Sequence, residues 1–157
     1  MAVPRSGAHP RGMTEREGFT LIEMVAVLGM LGIILGIAAP PVLRWRDAAA
    51  VHSARDELAA VLALTRVAAV SHGGASLWVD ATTGRVWIAS RGGAPVIPTL
   101  DLAGRYGIDL ETGSPAPVEL RYDAFGIGRI ASRTLTLRRH HARAGLTISA
   151  YGRYRRW

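Results

Sequence analysis

Between Met24 and Leu43 the chain carries no charged side chain, and about twenty apolar residues in a helix are enough to cross a bilayer core. This run predicts a membrane helix. Beyond Pro40-Pro41 the pattern changes. From Asp47 to about Ser71, Val51, Leu58, Val61, Leu62, Leu64 and Val67 recur at steps of three and four, the period of a helix with one buried stripe. Gly73-Gly74 then supplies the residues that end helices. From Ala75 the period shortens to two. Ser76 to Val79 and Arg85 to Ile88 flank the turn Ala81-Thr82-Thr83-Gly84, and Val118 to Tyr122, Arg133 to Leu137 and Leu146 to Ser149 alternate in the same way. Such alternation predicts strands of a sheet with one buried face. Arg91 to Gly113, rich in Gly and Pro, reads as a loop with one or two irregular strands. The expected fold class is α+β, a long N-terminal helix packed on an antiparallel β-sheet.

Several residues interrupt this pattern. Proline removes a backbone donor and crowds the preceding turn, so Pro40 and Pro41 predict a kink or an unwound stretch. Gly32 and Gly36 form a Gly-xxx-Gly pair, a weak sign of close helix packing. Glu23 is the more demanding case, because an acid in a spanning helix costs about 2.5–3.5 kcal/mol on insertion scales. A cationic partner offsets that penalty. A secretory signal places its cleavage site after the apolar core, whereas here the small residue Gly18 precedes it. Cutting between Gly18 and Phe19 keeps the helix and creates an α-amine close to Glu23, on the same helix or on a packed neighbour.

The run Gly18-Phe19-Thr20-Leu21-Ile22-Glu23 resembles, residue for residue, the N-terminal signature of type IV prepilins and pseudopilins. That resemblance implies cleavage after Gly18 by a prepilin peptidase, N-methylation of Phe19 by the same enzyme class, and docking of the subunit onto a filament through Glu23. A proline near position 40 also agrees with it. The implied organisation is a cytoplasmic leader at 1–18, a transmembrane and assembly helix at 19–43, and a periplasmic globular domain at 44–157, helical to about 72 and then β-sheet. The implied location is the bacterial inner membrane, crossed once. Charge does not decide the orientation, since Arg5, Arg11 and Arg16 before the apolar run are set against Glu15 and Glu17, with Arg44 and Arg46 beyond it.

The C-terminal half is similar, more loosely, to the GspH minor pseudopilins and FimT minor pilins. The similarity rests on Tyr122-Asp123-Ala124-Phe125-Gly126-Ile127-Gly128, the strands at Thr134 to Leu137 and Leu146 to Ile148, and Gly152-Arg153. The Pro-x-Gly turn usual in that family is represented only by Ala124-Phe125-Gly126.

Composition adds two constraints. There are no cysteines, so the exported domain is held by packing and not by disulfides. The net charge is +7, every Lys/Arg-type cation is arginine, and from Arg121 to Trp157 nine arginines stand against the single acid Asp123. The tail Tyr151-Gly152-Arg153-Tyr154-Arg155-Arg156-Trp157 interleaves guanidinium groups with aromatics, a composition suited to phosphate contact and base stacking. FimT-like pilins carry a Gly-Arg-x-Arg tail associated with DNA capture, and Gly152-Arg153-Tyr154-Arg155 fits that pattern. Arg153, Arg155 and Arg156, with Arg138, Arg139 and Arg143, are the candidate DNA contacts. A basic face also suits an acidic neighbouring subunit or anionic lipid.

No phosphate-binding glycine loop, nucleophile elbow or helical His pair is present. His52 and His72 read as surface or capping residues, Arg55, Asp56, Glu57 and Arg66 as a solvated helix face, and His140-His141, if in a strand, as pointing to opposite sides. No catalytic residue, metal or cofactor is expected. Two functions stay open: a minor pseudopilin of a type II secretion system that supports protein export, or a FimT-like pilin that captures DNA for transformation. The partners implied are other pilins or pseudopilins, the peptidase and methyltransferase, the inner membrane and, in the second case, DNA.

Overall fold

In the computed structural model, which describes residues 19–130 and 132–157, a single helix α1 spans Leu21–Ser71, 51 residues. Thr20 caps it. Its hydroxyl accepts the N–H of Glu23 at 3.3 Å and its carbonyl that of Met24 at 3.2 Å, as Ser and Thr do at helix N-termini. The helical backbone continues through Pro40 and Pro41 without unwinding, so the apolar and amphipathic halves belong to one long helix, as expected. The chain nevertheless divides between Ala39 and Pro40 into two compact units. In the first, every large apolar side chain of α1 from Leu21 to Ile37 is exposed.

In the second unit α1 acquires a buried stripe formed by Val51, Ala54, Leu58, Ala59, Val61, Leu62, Thr65, Ala68 and Ala69. The spacing of three and four is as expected, but the stripe turns away from Leu64 and Val67, which are exposed. The shift follows residue size: the buried side carries alanines at 54, 59, 68 and 69, and the larger Leu64 and Val67 stand on the outer side. Buried Thr65 satisfies its hydroxyl on the Val61 carbonyl at 2.7 Å. At the end of α1 the amide of His72 donates to Ala68 at 2.9 Å, its Nδ1 lies 3.0 Å from the same carbonyl, and Gly73 follows at φ 70°.

The expected single sheet is two. Strands β1 (Gly74–Asp80), β2 (Arg85–Ser90), β3 (Leu100–Asp101) and β5 (Val118–Asp123) form one sheet in the order β3-β2-β1-β5, and β4 (Asp109–Glu111), β6 (Arg133–Arg139), β7 (Ala142–Ile148) and β8 (Tyr154–Arg156) form the other in the order β4-β6-β7-β8. Pairing is antiparallel throughout. Alternation decides the faces: Leu77, Val79, Val86, Ile88 and Leu120 of the first sheet and Leu135, Leu137, Leu146 and Ile148 of the second join the core with α1. Trp78 and Trp87, directly opposite in register, stack on the outer side with ring centroids 6.0 Å apart.

The segment Arg91 to Gly113 holds two short strands, β3 and β4, as expected, and also a helix α2 (Leu102–Tyr106) that was not. Asp101 caps α2 by accepting the N–H of Gly104 at 2.7 Å, and Gly107 closes it at φ 62°. Its Arg105 pairs with Glu57 of α1. Five residues are too few to show a helical period in sequence.

The two sheets meet at the turn after β5. Asp123 builds that turn by accepting the N–H groups of Phe125 and Ile127, both at 3.0 Å, and pairing with Arg129 at 3.1 Å. Gly128 then bonds Tyr151 at 3.1 Å, and Gly152, at φ 78°, lies so close to Tyr122 that a Cβ would sit 2.4 Å from its ring. Arg66 donates to the Gly152 carbonyl and stacks its guanidinium 5.6 Å from the Tyr122 ring centroid. Arg66 is therefore half-buried and structural, which corrects its reading as part of a solvated face.

These contacts yield two expectations. Gly152→Ala should destabilise the fold by roughly 2–4 kcal/mol, combining a strained backbone with a clash, whereas Gly73→Ala, at φ 70° in open space, should cost only about 1–2 kcal/mol. Thermal melts of the two variants check the difference, and equal losses would show that backbone conformation alone matters. The backbone amide of Ile127, with those of Phe125 and the Arg129 side chain, holds the Asp123 carboxyl below its ordinary 3.8. The folded form thus binds that proton less tightly than the unfolded chain. Its stabilisation is complete above the ordinary value and fades as pH falls below it. Asp80 acts in the same sense, chiefly through the Thr83 hydroxyl. Urea midpoints followed from neutrality into acid should fall in the parent chain, and Asp123→Asn should start lower and fall less steeply.

Candidate functional site

The proposed cleavage residue Gly18 lies outside the described residues; Phe19 is the first of them and is 72% exposed. Glu23 is exposed in the first turn of α1. There a carboxylate is favoured by the positive end of the helix dipole, and the Thr20-x-x-Glu23 spacing is that of a capping box. This is a local reason for the pair that the sequence reading did not draw, although the spacing carried it. The apolar part of α1 is long and apolar enough to cross a membrane, which makes it compatible with a single-pass anchor.

Only part of the candidate DNA contacts shares a surface: by register Arg138, Arg143 and Arg155 lie on the outer face of the second sheet, whereas Arg139 and Arg156 turn towards α1. Arg138 faces Arg143 across the β6–β7 pair and binds Glu111 at 3.0 Å. Arg139 turns the other way, pairing through Nε with Asp47 of α1 at 2.9 Å and donating to the Tyr106 carbonyl. Arg156 lies opposite Leu146, reaches Asp56 of α1 at 3.6 Å and lies 5.9 Å from the Tyr154 ring centroid. Three of the arginines thus hold acids. Arg143, Arg153 and Arg155 are exposed, and among the described residues none of them forms an ion pair.

The tail itself is a strand. In β8, Thr147 opposes Arg155, which places that arginine on the outer face of the second sheet. Trp157 continues the ladder by exchanging N–H and C=O bonds with Gly145, both 3.1 Å. Its indole lies over Gly145, where a Cβ would come within 2.6 Å of the ring. Arg153 lines a shallow groove with Arg66, Gly126, Ile127 and Tyr151. The glycine of the Gly-Arg-x-Arg sequence is thus explained by packing against Tyr122, and only Arg153 and Arg155 of the motif remain for a ligand.

A second basic cluster was not anticipated as a unit. His140, in the left-handed region at φ 50°, stands at the tip of the β6–β7 hairpin and not in a strand. Its Nδ1 lies 3.1 Å from Asp47, so one carboxylate receives both Arg139 and His140 and docks the hairpin on α1. Arg44, Arg46 and His141 line the same groove, together with Leu43. Among the described residues no group of three or more His, Cys, Asp or Glu could hold a metal ion.

No protein-family model matches the sequence, and no curated protein matches it. Among solved structures, the type IV minor pilin FimU of Pseudomonas aeruginosa PAO1 is similar in two crystal forms. One has 23% identity and a TM-score of 0.54, covering 68% of this chain and 91% of that one; the other has 23% identity and a TM-score of 0.55, covering 67% and 86%. The long helix packed on antiparallel sheets is a type IV pilin-like fold, as the residues from Gly18 to Glu23 imply.

Proposed function

We propose that this chain is a minor pseudopilin subunit of a type II secretion system, acting by assembly and not by catalysis. The observation that carries the reading is the run Phe19-Thr20-Leu21-Ile22-Glu23 at the head of an apolar helix with its side chains exposed, in a chain with a pilin-like fold. Among the described residues the helix has no partner that buries these side chains. A filament of packed helices provides one.

In this reading residues 1–18 are a cytoplasmic leader, residues 19–43 the inner-membrane anchor, and 44–157 a periplasmic domain. A prepilin peptidase cuts after Gly18 and Phe19 is N-methylated. Glu23 then pairs with the N-terminal amine of a neighbour, which removes two charges from an apolar environment at once. Pro40 and Pro41 deprive the carbonyls of Gly36 and Ile37 of their helical donors, so a kink there costs fewer hydrogen bonds than elsewhere. FimU is a type IV minor pilin, and its similarity supports a minor subunit in a filament with other pilins or pseudopilins.

The second reading, a FimT-like pilin that captures DNA, is favoured by Arg153 and Arg155, exposed beside Tyr151 and Trp157. Guanidinium groups next to open aromatic faces suit phosphate and base contact together.

Gly18→Arg should abolish processing, seen as retention of the leader on gels, while Glu23→Ala should be cut normally but cross-link to neighbouring subunits at least about tenfold less. Normal co-assembly of Glu23→Ala would remove the proposed pairing. The full chain in detergent, titrated with a fluorescent DNA duplex over a salt series, separates the two readings. The secretion reading expects no binding at low salt. Binding that weakens with salt, with a logarithmic slope of about −0.9 per phosphate contacted, and that is lost in Arg153→Ala/Arg155→Ala, would replace it by DNA capture.

A further inference from the structure

The cluster at the foot of the globular unit has a position as well as a charge. Leu43 is the last residue of the uncharged run, and Arg44, Trp45 and Arg46 follow it at once. All three are exposed, Trp45 by 72%. Asp47, the nearest acid in the groove, is already occupied by Arg139 and His140 at 2.9 and 3.1 Å. Its carboxylate therefore does not neutralise the arginines beside it, and among the described residues neither Arg44 nor Arg46 forms an ion pair. The docked hairpin adds exposed His141 to the same groove, an open cleft of about 740 Å³.

The distances match a membrane surface. At 1.5 Å per residue, Asp47 stands about 6 Å along α1 from Leu43. The headgroup layer on each side of a bilayer is about 5–7 Å thick, the difference between a core of about 30 Å and a whole of about 40–45 Å. With Leu43 at the edge of the core, Arg44 and Arg46 follow it into the headgroup layer, and Asp47, which holds the hairpin tip through Arg139 and His140, comes next on the same stretch of helix. An exposed tryptophan at this level is the usual aromatic anchor of a membrane interface.

We propose that Arg44, Arg46 and His141 form a binding site for the phosphate of an anionic phospholipid, with the β6–β7 hairpin, latched to Asp47, acting as a foot on the membrane surface. This rests on the membrane-anchored reading above and adds to it a lipid class and the residues that select it. The site is distinct from the tail arginines, since β8 pairs with the opposite end of β7 from the hairpin tip. Arg139 and His140 position the foot, while Arg44, Arg46 and His141 touch the lipid. Anionic lipid retained here holds the subunit in the bilayer until assembly extracts it.

The test uses the full chain in detergent with equimolar phosphatidylglycerol and phosphatidylcholine, followed by native mass spectrometry of the lipids retained. Phosphatidylglycerol should be favoured by at least about fivefold, the factor that one arginine supplies near an anionic surface. Arg44→Gln/Arg46→Gln/His141→Gln should erase the preference, Arg44→Lys/Arg46→Lys should keep it, and Arg153→Gln/Arg155→Gln should leave it unchanged. The replaced side chains are exposed, and the retained dichroism of each variant confirms that it folds. Equal retention of both lipids by the parent chain, or loss of the preference in the tail variant, would overturn the lipid site. A chain that alkaline carbonate washes from membranes would overturn the anchored reading and this site with it. A chain that stays embedded without lipid preference would overturn the site alone.

Discussion

The fold depends on one close approach, that of Gly152 to the ring of Tyr122. Tyr122 is the last buried residue of the first sheet, and Gly152 lies in the turn that leads into the last strand of the second. With a hydrogen at Cα in place of a side chain, the turn settles against the ring, and its carbonyl receives Arg66 from the helix. Three elements distant in sequence are fixed at one point. The Asp123 turn is the counterpart on the other side: by gathering two amides and one guanidinium it brings Gly128 to within bonding distance of Tyr151. The segment Tyr122 to Gly128 is therefore a joint between sheets, and its residue types follow from the geometry of that joint.

Much of this was legible in the sequence because it depends on local periods. The switch from helical steps to alternation at Gly73-Gly74 marked the change of element, and the strands at Val118, Arg133 and Leu146 were placed by alternation alone. What was not legible depends on partners far along the chain. Nothing near Leu64 or Val67 says that alanines at 54, 59, 68 and 69 lie on the buried side, since that follows from how side chains distant in sequence fill the core. Nor does the local sequence show that the strands divide into two sheets, because register within each hairpin is compatible with either arrangement. The short helix α2 escaped because its signals are a cap at Asp101 and a glycine at 107, not a period.

The candidate site was half legible for a related reason. A count of arginines finds the excess of positive charge but not its distribution. Arg138, Arg139 and Arg156 have acids on other elements, Glu111, Asp47 and Asp56, and much of the apparent basic face serves to tie strands to the helix and to each other. Long side chains near strand ends reach acids that composition windows never pair with them. Among the guanidinium groups left without an acid are those of Arg153 and Arg155 in the tail and of Arg44 and Arg46 in the groove beside Asp47.

Helix α1 meets incompatible demands along its length, and its sequence changes accordingly. Up to Leu43 it presents apolar side chains in every direction, which only lipid or other apolar helices solvate. From Asp47 it presents one narrow stripe of mostly small residues to the core, with charged residues and exposed Leu64, Val67 and Val70 on the remaining sides. Between the two lie three residues, Arg44, Trp45 and Arg46, whose chemistry belongs to neither environment. A guanidinium with an apolar stem and an indole with a polar edge are the side chains that tolerate a steep gradient of polarity. Asp47 comes next, and as an unpaired anion it would offset one of the two positive charges of that boundary. Its capture by Arg139 and His140 both docks a hairpin and leaves the boundary positive, so a contact that stabilises the domain also sets the electrostatic character of the surface where the apolar helix ends.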